Sequence, residues 1–239
     1  ARVGGKSRLA EKVIEHFIEG YENMVYVEPF VGGGSVFFKK NKCIGEVIND
    51  LDKTVYTIYK GFKKFKPEKI MDAVNGEYSK DDYERIMDSK PRDMFGKFVK
   101  EYILTRISFF GKRDSYSGSR NKISLKRDQY YDRLKDVIIL NKSYEELLKN
   151  LDGPNAFFYL DPPYEGSDRS HYKHWEFDHE LLRKRLDEIE GKFCLSLNDS
   201  KRIREIFKGY RIVKVHTKYT DPVNGGQVTD VSELLIMNY

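Results

Sequence analysis

The tetrapeptide Asp161-Pro162-Pro163-Tyr164 directly follows the apolar run Ala156-Phe157-Phe158-Tyr159-Leu160. A short apolar run bounded by turn residues reads as a buried strand, so the tetrapeptide is expected at the strand's carboxyl end, where open α/β sheets bind their ligands. Its atoms suit a planar exocyclic amine such as adenine N6. The lone pair of such an amine is delocalised into the ring and is a poor nucleophile. Two acceptors, the Asp161 carboxylate and the backbone carbonyl of Asp161 or Pro162, would each take one N–H and favour the pyramidal geometry that develops as nitrogen attacks an electrophile. Consecutive prolines hold φ near about −65° and carry no N–H, so the turn presents carbonyls and few competing donors. Tyr164 supplies a flat face for a base. Such stacking contributes about 1–3 kcal/mol, which offsets part of the cost of taking a nucleotide out of a duplex. A plain Pro-Pro turn with Asp161 capping the next segment has the same letters.

A second constellation lies near the start. Met24-Val25-Tyr26-Val27 reads as a buried strand and runs into Glu28-Pro29-Phe30-Val31-Gly32-Gly33-Gly34-Ser35, followed by apolar Val36-Phe37-Phe38. The pattern is strand, glycine-rich turn, helix. Three glycines let backbone approach a ligand closely, and a helix start offers N–H groups to a carboxylate or phosphate. Cys43 to Ile48 reads as the next strand and ends in Asn49-Asp50, with Asp50 lying 22 residues after Glu28. That spacing suits an acid on ribose hydroxyls. A tight loop with no ligand has a similar composition. Neither G-x-G-x-x-G nor G-x-x-x-x-G-K-[ST] occurs, so neither a dinucleotide fingerprint nor a phosphate loop is indicated.

The elements that must position these groups follow from periodicity. Leu9, Val13, Ile14, Phe17 and Ile18 make one face of an opening helix, and Val55, Ile58, Tyr59 and Phe62 make one face of another. Residues 67–131 are mostly helical in pattern, with a break at Lys90-Pro91. Core structure resumes with a strand at Val137 to Leu140 and the capping signature Ser143-Tyr144-Glu145-Glu146 of a further helix. A helix from Asp178 to Ile189 and strands at Phe193 to Leu197 and Tyr210 to Val215 follow the tetrapeptide, and Asp221 to Gln227 reads as a turn before the last strand. The expected fold is α/β, a Rossmann-like sheet with an inserted helical subdomain.

The 239 residues, 39% hydrophobic and 34% charged, are enough for one α/β core with a subdomain. No apolar stretch is long enough to span a bilayer and the opening residues carry no apolar signal segment, so a cytoplasmic protein with no membrane partner is expected. Cys43 and Cys194 fall in expected buried strands and should be reduced, packed thiols. No metal is expected: two histidines three apart, His171 and His174, lack a carboxylate or cysteine at ligand spacing. The net charge is +5, yet Arg106 to Lys135 alone holds nine basic and three acidic residues, interleaved with Phe109, Phe110, Tyr116, Tyr130 and Tyr131. A polyanion is the partner this implies, with Arg106, Lys112, Arg113, Tyr116, Arg120, Lys122, Lys126 and Arg127 as candidate contacts; a solvated basic face is the simpler alternative. The loop after the tetrapeptide places Tyr172 and Lys173 where they could close over a flipped base or touch its phosphates.

These residues together resemble the Dam-type DNA adenine-N6 methyltransferases. Gly4-Gly5-Lys6 is similar to that family's amino-terminal cofactor motif, Glu28 to Gly34 to its glycine-rich motif, Asn49-Asp50 to its acidic motif and Asp161 to Tyr164 to its catalytic motif. Phe193 to Ser200 looks like a strand motif flanking the target-base pocket, and Glu233-Leu234-Leu235-Ile236 like the closing strand. The order is that of the family, with cofactor motifs first, then an insertion that reads DNA, then the catalytic tetrapeptide. The resemblance implies S-adenosyl-L-methionine (AdoMet) as cofactor, double-stranded DNA as partner, and a catalytic domain of residues 1–66 and 132–239 around a target-recognition subdomain of residues 67–131. It implies that Asp161, Pro162, Pro163 and Tyr164 are catalytic. Gly5, Lys6, Glu28, Phe30, Gly32, Gly33, Gly34, Ser35, Asp50 and Asp161 would bind the cofactor. Cytosine N4, whose amine needs the same two acceptors, is the nearest alternative substrate, with RNA adenine more distant. A non-catalytic DNA-binding relative is the alternative of another class.

Single alanine substitutions at Lys112, Arg113, Arg120 and Lys122 are expected to weaken DNA binding while AdoMet binding stays intact. Removing one phosphate-binding cation lowers the slope of log affinity against log salt by about 0.9, and at least one arginine change should broaden the set of methylated sequences. Salt titrations of binding, with sequencing of the modified sites, check this; wild-type slopes and specificity in all four variants would reduce the segment to a solvated face.

Overall fold

The computed structural model describes residues 6–108, 115–125, 129–165, 177–220 and 228–239. The chain opens with α1 (Lys6–Ile14), β1 (Val25–Glu28) and β2 (Gly45–Asn49). Then come α2 (Lys53–Lys64), α3 (Pro67–Val74), β3 (Gly76–Glu77), α4 (Lys80–Asp88), α5 (Met94–Ile107), β4 (Lys122–Ile123), α6 (Gln129–Leu134) and β5 (Ile138–Leu140). It closes with α7 (Tyr144–Leu151), β6 (Ala156–Leu160), α8 (His179–Asp187), β7 (Lys192–Asn198), α9 (Lys201–Ile206), β8 (Arg211–Thr220) and β9 (Val228–Met237). Two compact units result: Asp52–Asn141, and Lys142–Tyr239 together with the described chain up to Leu51.

The main sheet has seven strands, and the six of the second unit run in the order β2-β1-β6-β7-β9-β8. Strands β2, β1, β6 and β7 are parallel, with Val27 opposite both Val47 and Phe158, and Phe158 opposite Phe193. Strand β9 enters antiparallel between β7 and β8. Parallel strands are covered on both faces, which is why β6 reads as five consecutive buried residues and β7 as a buried run from Phe193 to Leu197. From β1 the chain passes to β2 on one side and later returns to β6 on the other, the strand-order reversal of a Rossmann-like fold.

Helix α7 begins at the expected capping box, with the Ser143 hydroxyl accepting from the Glu146 N–H and the Glu146 carboxylate accepting from the Ser143 N–H. Three features differ from the sequence reading. After the glycine turn there is no helix. Phe38 donates to the Gly34 carbonyl at 3.0 Å and Lys40 to Val36 at 2.9 Å, and the helical hydrogen bonding stops there. The Lys40 ammonium is fully buried, 2.5 Å from Glu46 Oε1 and 3.9 Å from the Tyr26 ring centre. A buried cation needs such partners, and reaching them bends the chain out of helix. Strand β2 starts at Gly45 rather than Cys43, leaving the Cys43 thiol only half-buried and 3.3 Å from Lys40 Nζ. Cys194 is buried as expected, and desolvation pushes its thiol up to about 12. Helix α9 and the short β3/β4 ladder carry too few residues to show periodicity.

In the unit Asp52–Asn141, Asp52 caps α2 by accepting from the Thr54 N–H at 2.8 Å. Phe62 of α2 packs edge-on against Phe98 and Tyr102 of α5, with centroids 5.2 Å away in each case. The helices can approach so closely because position 61 is glycine; a Cβ there would lie 2.0 Å from the Phe98 ring. Lys63 Nζ donates to the Val137 carbonyl at 2.7 Å. These contacts draw α2 and the segment after residue 131 into the unit, which therefore extends beyond residues 67–131 at both ends. Among the described residues no helix is long and apolar enough to cross a membrane.

Candidate active site

The turn after β1 is built from positive-φ glycines and two acceptors at the end of β2. Gly32 and Gly34 have φ of 47° and 69°, a region that a side chain disfavours. The Val31 N–H donates to the Asn49 carbonyl at 2.9 Å, and the Gly32 N–H donates to Asp50 Oδ2 at 2.9 Å. A Cβ built on Gly32 or Gly33 would meet nothing within 4 Å, so the turn borders open space wide enough for a ligand to touch backbone. Asn49 is buried and uses its whole amide. Its Nδ2 donates to the carbonyls of Pro29 and Lys142 at 2.9 and 3.0 Å, and its Oδ1 accepts from the Lys142 N–H at 2.8 Å. Glu28 is buried at the end of β1, where Oε2 accepts the Tyr26 hydroxyl at 2.5 Å. Phe30 belongs to an aromatic triangle with Tyr144 and Phe177, at centroid distances of 5.5 and 5.7 Å.

The tetrapeptide leaves β6 as extended turn, with Pro162 buried and Asp161, Pro163 and Tyr164 half-buried. Side chains from three other elements hold it. His179, the first residue of α8, is buried with Nε2 3.1 Å from the Pro163 carbonyl. A carbonyl can only accept, so Nε2 carries the hydrogen, and burial lowers the imidazole pKa and keeps the ring neutral. Asn198 at the end of β7 accepts from the Glu165 N–H at 3.1 Å and donates to the Glu165 carbonyl at 3.3 Å, while Ser200 donates to the Glu165 carboxylate. The Tyr164 hydroxyl points into the protein, beside Ser196 of β7 and Glu233 of β9. Burial, followed by the negative charges of Asp161 and Glu233, holds this phenol far above its ordinary pKa, so it remains a hydroxyl.

Neighbouring strands β1 and β6 thus bring together Glu28, Phe30, Gly32, Gly33, Gly34 and Ser35 on one turn and Asp161 to Tyr164 on the next, with Asp50 tied to the first. Lys6 is the first residue of α1. In the other unit, Arg106 lies exposed on α5, and Arg120 and Lys122 are exposed, Lys122 3.0 Å from the Glu77 carboxylate. The Tyr116 hydroxyl donates to the Tyr78 carbonyl at 2.6 Å, bracing the β3/β4 ladder. Gly5, Lys112, Arg113, Lys126, Arg127, Tyr172 and Lys173 lie outside the described residues. Asn49, Tyr144, Phe177, His179, Ser196 and Glu233 were not singled out for the site from sequence. Asn198 and Ser200 carried a signal within the Phe193 to Ser200 motif, whereas a lone histidine such as His179 carries none. Among the described residues no cluster of three or more His, Cys, Asp or Glu forms a metal site.

A family model for D12 class N6 adenine-specific DNA methyltransferases matches residues 3–220. The chain belongs to this family. It is 25% identical over 236 residues to the type II methyltransferase M.CviBI of Paramecium bursaria Chlorella virus NC1A, covering 90% of this chain and 89% of that one. It is 24% identical over 269 residues to the type II methyltransferase M1.LlaDCHI of Lactococcus lactis subsp. cremoris, covering 99% and 93%. Among solved structures, the chain is similar to the rRNA methyltransferase aviRa of Streptomyces viridochromogenes, at 10% identity and a TM-score of 0.43 over 98% of this chain and 86% of that one. The enzyme is accordingly an adenine-specific DNA methyltransferase with AdoMet as methyl donor. The site suits that donor: open space over two glycines admits close backbone contact, and the Asp50 carboxylate stands at the same turn.

Proposed function

We propose that this enzyme acts on adenine flipped out of double-stranded DNA, with chemistry at Asp161-Pro162-Pro163-Tyr164 and the cofactor on the glycine turn. The observation that carries the reading is the pairing of β1 with β6. Their carboxyl ends leave the same edge of the sheet, about 4.8 Å apart, so a donor resting on one turn lies beside an amine bound by the other.

Bound AdoMet supplies a methyl group on a positively charged sulfur, whose C–S bond breaks with the electron pair returning to sulfur. With the Pro163 carbonyl engaged by His179, the acceptors for the two N–H groups of N6 are the Asp161 carboxylate and the Pro162 carbonyl. They localise the nitrogen lone pair as the new C–N bond forms. N6 becomes cationic, and Asp161 is the base in hydrogen-bond reach of the departing proton. Tyr164 stacks the base and replaces part of the stacking that the duplex provided. Phe30 and Gly32 to Gly34 hold the methionine part of the cofactor, Asp50 the ribose, and Gly5 and Lys6 steady it from the amino-terminal motif. The unit Asp52–Asn141 recognises the target, with Arg106, Arg120 and Lys122 among its DNA contacts.

Asp161→Ala should abolish methyl transfer while AdoMet affinity stays within about tenfold, because the carboxylate serves mainly the transition state. Radiolabelled transfer into unmethylated DNA checks this, and activity above about a tenth of wild type would sink the assignment. Asp50→Asn separates ribose binding from support of the turn. Asparagine has a single acceptor oxygen, which the Gly32 N–H would occupy, and no charge for the ribose. The turn and thermal midpoint should persist while AdoMet binding weakens by about 1–3 kcal/mol. Calorimetry giving wild-type AdoMet affinity would reduce Asp50 to a support of the turn.

A further inference from the structure

Ser196 and Glu233 lie on the neighbouring antiparallel strands β7 and β9, where Asn198 pairs with Glu233 and Ser196 with Leu235. Both side chains are buried, at 0% and 1% exposure, and Ser196 Oγ donates to Glu233 Oε2 at 2.8 Å. A carboxylate taken from water into a sheet must be hydrogen-bonded to be tolerated, and an apolar residue at position 233 would avoid that cost. Nothing in the methyl-transfer chemistry calls for a carboxylate there. What Glu233 does have beside it is the inward-pointing hydroxyl of Tyr164, buried at the same place as Ser196.

The orientation of a tyrosine ring is set by two side-chain torsions, and χ2 of an aromatic residue is broad unless something holds the far end. Anchoring the hydroxyl restricts both torsions, which matters for a ring whose face must be presented to a base before the base arrives. We propose that Glu233, assisted by Ser196, is a positioning device that locks the Tyr164 ring in the orientation in which it stacks the target adenine. The proposal rests on the reading of Tyr164 as the stacking residue. Glu233 touches neither the base nor the cofactor and acts only through the tyrosine, so it is a positioning residue.

The test is a double-mutant cycle in the full chain, using Tyr164→Phe, Glu233→Gln and the double variant. The readouts are kcat and KM for unmethylated genomic DNA, the AdoMet dissociation constant and the thermal midpoint. Each single change should lower kcat by about five- to fiftyfold with AdoMet affinity within about twofold. The double variant should fall no more than about threefold below the weaker single, because both remove the same restraint. Losses that multiply, or wild-type kcat in Glu233→Gln, would overturn the proposal. Should Glu233→Gln fail to fold, Ser196→Ala takes its place in the cycle with Tyr164→Phe, under the same criterion. Tyr164→Ala separates the two claims: wild-type kcat and KM there would defeat the stacking reading itself. Impairment there, with Tyr164→Phe and Glu233→Gln both like wild type, would defeat the anchoring alone.

Discussion

Strands β1 and β6 lie side by side and parallel, and the site follows from that one pairing. Parallel neighbours send their chains out of the same edge of the sheet, and here the strand order reverses between them, with β2 beyond β1 and β7 beyond β6. The chain leaving β1 continues toward β2 and the chain leaving β6 continues toward β7, so no connection covers the edge between them. Register places Val27 opposite Phe158, so the glycine turn and the tetrapeptide begin within a few residues of the same level. Slipping β6 by one residue would turn its side chains to the opposite face and displace Asp161 from the turn it must meet. Complete burial of β6 makes such a slip costly.

Turns rich in glycine and proline have little structure of their own, and these two are held by polar side chains from neighbouring elements. Asn49 joins the start of the glycine turn to the segment entering α7, and Asp50 accepts from the turn itself. His179 takes the Pro163 carbonyl, and Asn198 brackets Glu165. Each hydrogen bond contributes only about 0.5–1.5 kcal/mol net, but leaving its buried partner unmade costs about 1–3 kcal/mol, so the set specifies one geometry more strongly than it stabilises the fold. The carboxylates of Glu28, Asp50 and Asp161 at these strand ends also make the edge negative, which favours a sulfonium donor and developing positive charge on the amine.

Much of this was legible in the sequence, for reasons that differ from residue to residue. Strand β6 and its tetrapeptide were visible because a five-residue apolar run ending in consecutive prolines has few other readings. The Ser143 to Glu146 cap was visible because capping is a local interaction. Long-range pairing was not visible. The helix expected after Gly34 fails because Lys40 turns inward to Glu46, a contact that local propensity cannot reveal. Gly61 reads as a flaw in α2 until Phe98 is seen filling its space, and that contact carries α2 into the unit Asp52–Asn141. His179, Ser196 and Glu233 are single polar letters in helix or strand patterns, and only the folded sheet brings them to the catalytic turn.

Hydrogen exchange with and without AdoMet tests most directly whether the two turns form one site. AdoMet should slow exchange at residues 30–35 and at Tyr164 and Glu165 together, because a donor resting on the glycine turn also covers the edge from which the tetrapeptide emerges. Protection of the glycine turn with exchange at Tyr164 and Glu165 unchanged, or protection confined to elements away from the ends of β1 and β6, would contradict the account.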